Sequence, residues 1–295
     1  MDLLKPFFLY RPRQYLKRLA RTFQAPEPTD VELPWDVPLR VNPQEAVGNA
    51  IWRTSVHEIA TTEVLCRLMP RGGTAVDVGA NIGYFTSLMA ARAGNGGRVL
   101  AFEAHPDVFQ RLHHNVNLFQ NQSRELAEIE PFGVALSDST GTSTMALNGI
   151  VNDVSFNDNE GIARLSDTNA AGVKTKKTTL DAHLQATDVD LLKIDVEGHE
   201  PQVLKGAADL IKAKRIKNIV FEEHEGSGEK AKRLLFEQGY TIYELSWSVR
   251  KPLLLTDDDE NKAIGNETPN FLATLQQDRA ERLFQLQGWK CLDGV

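Results

Sequence analysis

The feature that most constrains this chain is an alternation. From residue 74 onward, short apolar runs and helix-period segments take turns. "TAVDVGA" (74–80) reads as a strand and 84–92 as a helix. "GRVLAFEAH" (97–105) is a strand, and 107–119 a helix with Pro106 near its start. "AEIEPFGVALSD" (127–138) is a strand region. "VDLLKID" (189–195), "IKNIVFEEH" (216–224) and "YTIYEL" (240–245) are strands, separated by helices over 201–212 and 229–238. Repeated units of this kind predict an α/β fold with a doubly wound, mostly parallel sheet and right-handed crossovers. At 295 residues the chain is long enough to cover both faces of such a sheet.

The flanks read differently. Residues 1–24 carry Lys5, Arg11, Arg13, Lys17, Arg18 and Arg21 against Asp2 alone, interleaved with leucines and aromatics. Such a basic amphipathic segment predicts peripheral contact with an anionic membrane face. Residues 25–45 hold Pro26, Pro28, Pro34, Pro38 and Pro43 and predict an extended linker. The domain then runs from 46 to 295, opening on a helix over 56–69. Residues 139–188, rich in Asn, Asp, Ser, Thr and Gly, predict an insertion of short strands and loops able to cover a site. "DDDE" (257–260) reads as a solvated loop, "NFLATL" (270–275) as a late strand and 277–287 as an amphipathic helix. A net charge of -7 and a pI near 5.6 argue against a nucleic-acid binder. Cys66 and Cys291 carry no metal spacing, which points to a reducing cytoplasm. No apolar run reaches the roughly 20 residues of a membrane helix.

"VDVGANIGYF" places Gly79, Asn81 and Gly83 between a strand ending at Asp77 and a helix starting near Tyr84. Glycine, and Asn next, tolerate the left-handed dihedrals of a tight turn that approaches a ligand. In doubly wound sheets this first turn borders the ligand crevice. A dinucleotide loop would read G-x-G-x-x-G. Here the loop reads G-A-N-I-G, and Asp77 would repel a pyrophosphate. It suits a cationic, amine-bearing ligand such as S-adenosylmethionine. Glu103, ending the second strand, is placed to accept hydrogen bonds from a ribose diol. Asp138 is a candidate for the adenine amino group.

"VDVGANIGYFT", "FEAHPDVFQRLHHNVNLF", "TLDAHL" and "LLKIDVEGHEPQVLKGA" together resemble the FkbM-type S-adenosylmethionine-dependent methyltransferases over residues 45–246. The resemblance implies a class I methyltransferase (Rossmann-like) fold with seven strands, the last antiparallel. It implies S-adenosylmethionine as cofactor and methyl transfer to an oxygen of a sugar, polyketide or related metabolite. It also implies a place in surface-polysaccharide biosynthesis, with a glycan or small molecule as acceptor.

Methyl transfer to a hydroxyl needs a group that positions the acceptor and takes its proton. Strand alternation puts Lys193 and Asp195 on one side of "DLLKID". Asp195 is the first candidate for orienting or deprotonating the acceptor. His199 is a base candidate because it titrates near neutral pH. Glu197 is placed to hold the acceptor or the cofactor amine, and Lys193 to pair with a carboxylate. Glu222, Glu223 and His224 end the next strand and would share the rim. Glu200 before Pro201 reads as a helix-start residue. No spacing demands a metal. A nicotinamide-dependent oxidoreductase and a non-catalytic adenosyl-binding module stay open as alternatives.

Overall fold

The computed structural model describes residues 27–121, 125–147, 163–166, 172–185, 187–222, 227–256 and 269–292. The basic segment 1–24, the "DDDE" loop, Glu223, His224 and parts of the expected insertion lie outside them.

The stretch expected as a linker is instead an antiparallel hairpin of β1 (Thr29–Glu32) and β2 (Pro38–Val41). Val31, Leu33, Trp35, Val37, Leu39 and Val41 fall at every second position, and all are buried. That period of two is a half-buried strand pattern, and it outweighs the proline content. Pro38 opens a strand, where its missing N–H costs nothing in the ladder. Trp35 is fully buried, and its Nε1 donates to Ser87 Oγ at 3.1 Å.

Two helices follow, α1 (Ala46–Thr54) and α2 (Ile59–Leu68). Two strand–helix units come next: β3 (Thr74–Val78), α3 (Tyr84–Ala93), β4 (Arg98–Phe102) and α4 (Pro106–Gln120), ending on β5 (Glu128–Phe132). The chain then builds a second sheet from β6 (Ala135–Leu136), β7 (Gly141–Leu147), β8 (Ala163–Ser166) and β9 (Gly172–Thr178), in the order β6-β9-β7-β8. The 139–188 region contains the short strands expected of it. After α5 (Leu180–Leu184), β10 (Leu191–Ile194) re-enters the main sheet. The helix expected over 201–212 is two short ones, α6 (Glu200–Lys205) and α7 (Ala208–Lys212). The chain finishes with β11 (Asn218–Glu222), α8 (Ser227–Glu237), β12 (Thr241–Trp247), β13 (Pro252–Leu255), β14 (Asn270–Thr274) and α9 (Gln277–Gln285).

The main sheet runs β13-β12-β14-β11-β10-β3-β4-β5. Strands β3, β4, β5, β10 and β11 are parallel, and β14 is antiparallel to both its neighbours. This is the class I methyltransferase arrangement, with one correction: eight strands, not seven. The extra strand, β13, pairs antiparallel with β12 at the edge. Side chains alternate between two cores. Val76, Val78, Leu100, Phe102, Leu192, Ile194, Ile219 and Phe221 pack on α5 to α8. Ala75, Val99, Ala101, Leu191 and Val220 pack on the hairpin and on α2, α3, α4 and α9. Asp77, Lys193 and Glu222 share the parity of the second set.

The chain order reverses between β3 and β10. From β3 it winds outward to β4 and β5, then returns to β10 and winds the other way. A ligand crevice forms at such a switch point, beyond the carboxyl ends of the strands. "TLDAHL" supports this return. Thr179 caps α5 by accepting from Ala182 N at 3.2 Å, and the Asp181 carboxylate accepts from Asp209 N and Leu210 N at 2.9 and 3.1 Å.

Candidate active site

A cavity opens at the switch point. Its lining includes Gly79, Asn81, Tyr84, Glu103, Lys193, Asp195, Glu197, His199 and Glu222, along with His57 and Glu58. The strand ends that supply these side chains explain why they meet. Asp77 and Lys193 are partners in the parallel register of β3 and β10. Ile194 lies opposite Phe221, so the next residues, Asp195 and Glu222, stand side by side.

Lys193 sits at the centre and is 3% exposed. Its Nζ lies 3.1 Å from Asp195 Oδ2, 3.6 Å from Asp77 Oδ1 and 3.2 Å from the Gly79 carbonyl, over the Phe85 ring. Burial pulls its pKa down, but Asp195 and Asp77 outweigh this and raise it, so the ammonium stays charged. Asp77 is fully buried and accepts from Thr86 Oγ1 at 2.6 Å. It does meet an amine, as its position suggested, but the amine is the chain's own Lys193. It stands behind the cavity wall.

Asp195 and Glu222 share a proton. Burial pushes Asp195 up, but Lys193 and a hydrogen bond from Glu222 bring it below the usual carboxylate range. Glu222 is raised to about 9, by burial first and then by the Asp195 charge. Near neutral pH the pair is one carboxylate and one carboxylic acid. Glu197, at a left-handed φ of 54°, brings a third carboxylate within 4.8 Å of these two. Oxygen ligands at this spacing fit a hard cation. Lys193 and the shared proton already supply positive charge there.

The glycine loop is built as its sequence implied. Gly79, Asn81 and Gly83 all have positive φ. A Cβ on Gly79 would come within 1.8 Å of the Asp195 carbonyl, so this glycine lets β3 and β10 approach. Gly83 faces Leu112 and Phe119 of α4 and lies outside the cavity lining. Asn81 N donates to Glu103 Oε2 at 2.9 Å, and His105 N to Oε1 at 2.8 Å. Both Glu103 oxygens are thus anchored by backbone amides, and the carboxylate keeps lone-pair capacity toward the cavity.

Like Asp77 and Gly83, Asp138 lies outside the lining, and His199 has a partner of its own. Asp138 is exposed, takes hydrogen bonds from Ser137 Oγ and Ser139 Oγ, and is absent from the cavity lining. His199 does line the cavity, but its Nε2 is 2.9 Å from Ser137 Oγ, so it ties the loop after β10 to the end of β6. Glu200 is fully buried and accepts from Val196 N and Gly198 N, the structural role expected of it.

Sequence reasoning did not single out His57 and Glu58. They precede the first strand of the alternation, and nothing in "SVHEIATT" marks a site. Nor did it find the apolar part of the wall, formed by Val108, Val134, Leu136 and Met145. These belong to α4, β6, β7 and the link after β5. Sheet order therefore puts Val134 and Leu136 toward β5 and the side chains of Lys193, Asp195 and Glu222 toward β10 and β11, with Glu103 between.

The chain matches the methyltransferase FkbM domain over residues 77–242. It is 30% identical over 245 residues to the AMB antimetabolite synthetase AmbE of Pseudomonas aeruginosa, covering 68% of this chain and 11% of that protein. It is 29% identical over 161 residues to the hexuronic acid methyltransferase AglP of Haloferax volcanii, covering 52% of this chain and 57% of that one. The chain thus spans less than two thirds of the length of either relative. Among solved structures, the methyltransferase FkbM of Methylobacillus flagellatus aligns with 15% identity and a TM-score of 0.44, over 68% of this chain and 43% of that one.

Proposed function

Because the chain belongs to the FkbM methyltransferase family, we propose that it transfers a methyl group from S-adenosylmethionine to a hydroxyl of a sugar, glycan or related metabolite. The observation that carries this reading is the graded cavity, apolar toward β5 and charged toward β10, with Glu103 anchored between.

The lining fits the cofactor. Val108, Val134, Leu136 and Met145 offer an apolar slot for a purine, and Glu103 offers two acceptor oxygens to a ribose diol. When bound, S-adenosylmethionine supplies an electrophilic methyl on a sulfonium. The chain's own groups do the rest. Lys193 keeps Asp195 ionised. Glu222, holding its proton, fixes the Asp195 carboxylate by hydrogen bond and removes one negative charge from the site. Asp195 then orients the acceptor hydroxyl and takes its proton. Glu197 flanks the acceptor, and His199 steadies the loop between them. The hexuronic acid specificity named for AglP supports a sugar acceptor.

The test uses methyl-labelled S-adenosylmethionine and a panel of neutral hexosides, hexuronides and amino sugars, with products identified by mass spectrometry. Label should appear on a sugar oxygen. Asp195→Asn should lower transfer by about 100-fold or more while leaving S-adenosylhomocysteine affinity within a few-fold. Label confined to nitrogen acceptors, or wild-type turnover in that variant, would overturn the reading.

A further inference from the structure

His57 and Glu58 reach the cavity from outside the matched family domain. Consecutive side chains diverge in a helix and point to opposite faces in a strand. Here they converge, with His57 Nε2 3.2 Å from Glu58 Oε1. The cause is Glu58, which sits in the left-handed region at φ 42°, ψ 73°. That conformation is unfavourable for a residue with a side chain, and its surroundings hold it in place. His57 N donates to the Tyr84 hydroxyl at 3.0 Å. Thr62 Oγ1 donates to the His57 carbonyl at 2.5 Å. Asn270 Nδ2, from the start of β14, donates to Glu58 Oε2 at 3.3 Å. Strain fixed from several sides at a cavity wall marks a functional constraint.

The two side chains keep 23% and 24% of their surface exposed. Burial lowers the His57 pKa, but Glu58 and then Asp195 outweigh both burial and Lys193, and the net shift is upward. The pair thus sets His57 beside a carboxyl group that favours its charged form. It lies at the charged part of the cavity, where its charge acts on Lys193, Asp195 and Glu222. A ring N–H donor beside a carboxyl acceptor at the cavity wall matches an α-amino-acid group read in the opposite sense: ammonium on Glu58, carboxylate on His57. From Glu103, the apolar slot lies toward β5 and this pair lies with the other charges.

We propose that His57 and Glu58 hold the α-amino-acid end of S-adenosylmethionine. This rests on the cofactor reading above and adds to it a subsite upstream of the glycine loop.

The test is calorimetric binding to the full-length protein. The ligands are S-adenosylhomocysteine, its decarboxylated analogue and 5′-methylthioadenosine, which lacks the amino-acid group. Wild type should bind S-adenosylhomocysteine at least about tenfold more tightly than either truncated ligand. Glu58→Gln and His57→Gln should each weaken S-adenosylhomocysteine by about tenfold and leave 5′-methylthioadenosine within about twofold. Unchanged S-adenosylhomocysteine affinity in both variants overturns the assignment and leaves the cofactor reading standing. So does an equal loss of both ligands, which would mark the pair as structural. Binding of neither ligand by wild type overturns the cofactor reading, and this assignment with it.

Discussion

Lys193 lies between Asp77, Asp195 and the Gly79 carbonyl. Removing a buried cation that two carboxylates surround is costly, because both charges lose their partner. The pair it organises, Asp195 and Glu222, has a pH signature. Glu222 holds a proton in the fold up to about 9, against 4.5 in the unfolded chain. Over that window the native state binds one more proton than the unfolded state, so stability falls as pH rises. Asp195 acts in the opposite sense, losing stability only as pH falls through its lowered pKa. Glu222→Gln mimics the protonated form. Thermal melts between about pH 5 and pH 9 should show the variant gaining on wild type as pH rises. Parallel curves would mean that Glu222 titrates like an ordinary surface acid. At this scale the sequence was readable where a charge stood at a strand end, as with Glu103, Lys193, Asp195 and Glu197. His57 and Glu58 were not readable, because a left-handed residue ahead of a helix creates their convergence and no side-chain pattern announces it. Asp138 sits exposed in a turn with Ser137 and Ser139, and a turn just past a strand looks the same in sequence whether it faces a crevice or solvent.

Two elements show what local patterns do and do not reveal. The β1–β2 hairpin was hidden by its prolines, although its six alternating apolar residues were in plain view. If it belongs to the core, Trp35→Ala should cost about 3–5 kcal/mol in denaturant unfolding. A loss under about 1 kcal/mol would return residues 29–41 to the status of a covering strap. The "VLKGA" end of the long motif is the converse case. A Cβ on Gly206 would lie 1.9 Å from the Ser137 carbonyl, and the Gly206 carbonyl accepts from Asp181 N at 2.9 Å. This glycine joins α6 and α7 to the strand end that carries Ser137, the partner of His199. Gly206→Val should therefore lower the melting temperature sharply, with the clash relieved only by moving that strand end. An unchanged melting temperature would show that the backbone there gives way freely. The motif reads as one signature, yet Gly206 and Glu200 serve packing while Lys193 and Asp195 line the cavity.

For the molecule as a whole, the alternation determined most of the architecture. Five parallel strands, two cores and a crevice at the switch point follow from it and from the handedness of the crossovers. The antiparallel β14 came from the resemblance, and the edge strand β13 from neither source. Four residues opening on a proline carry too little periodicity to be seen. The second sheet lies beside the cavity, with Met145 in the wall and Thr175 Oγ1 bonded to the Ala104 carbonyl at 3.1 Å. Among the described residues no helix is long and apolar enough to cross a membrane. The central claim is that one cavity grades from a purine slot through Glu103 to the Asp195–Glu222 pair. A crystal structure of the complex with S-adenosylhomocysteine tests it most directly. The account predicts ribose hydroxyls on the Glu103 carboxylate, adenine against Val108 and Leu136, and sulfur facing Asp195. Adenine on the β10 side, or a ribose away from Glu103, would contradict it.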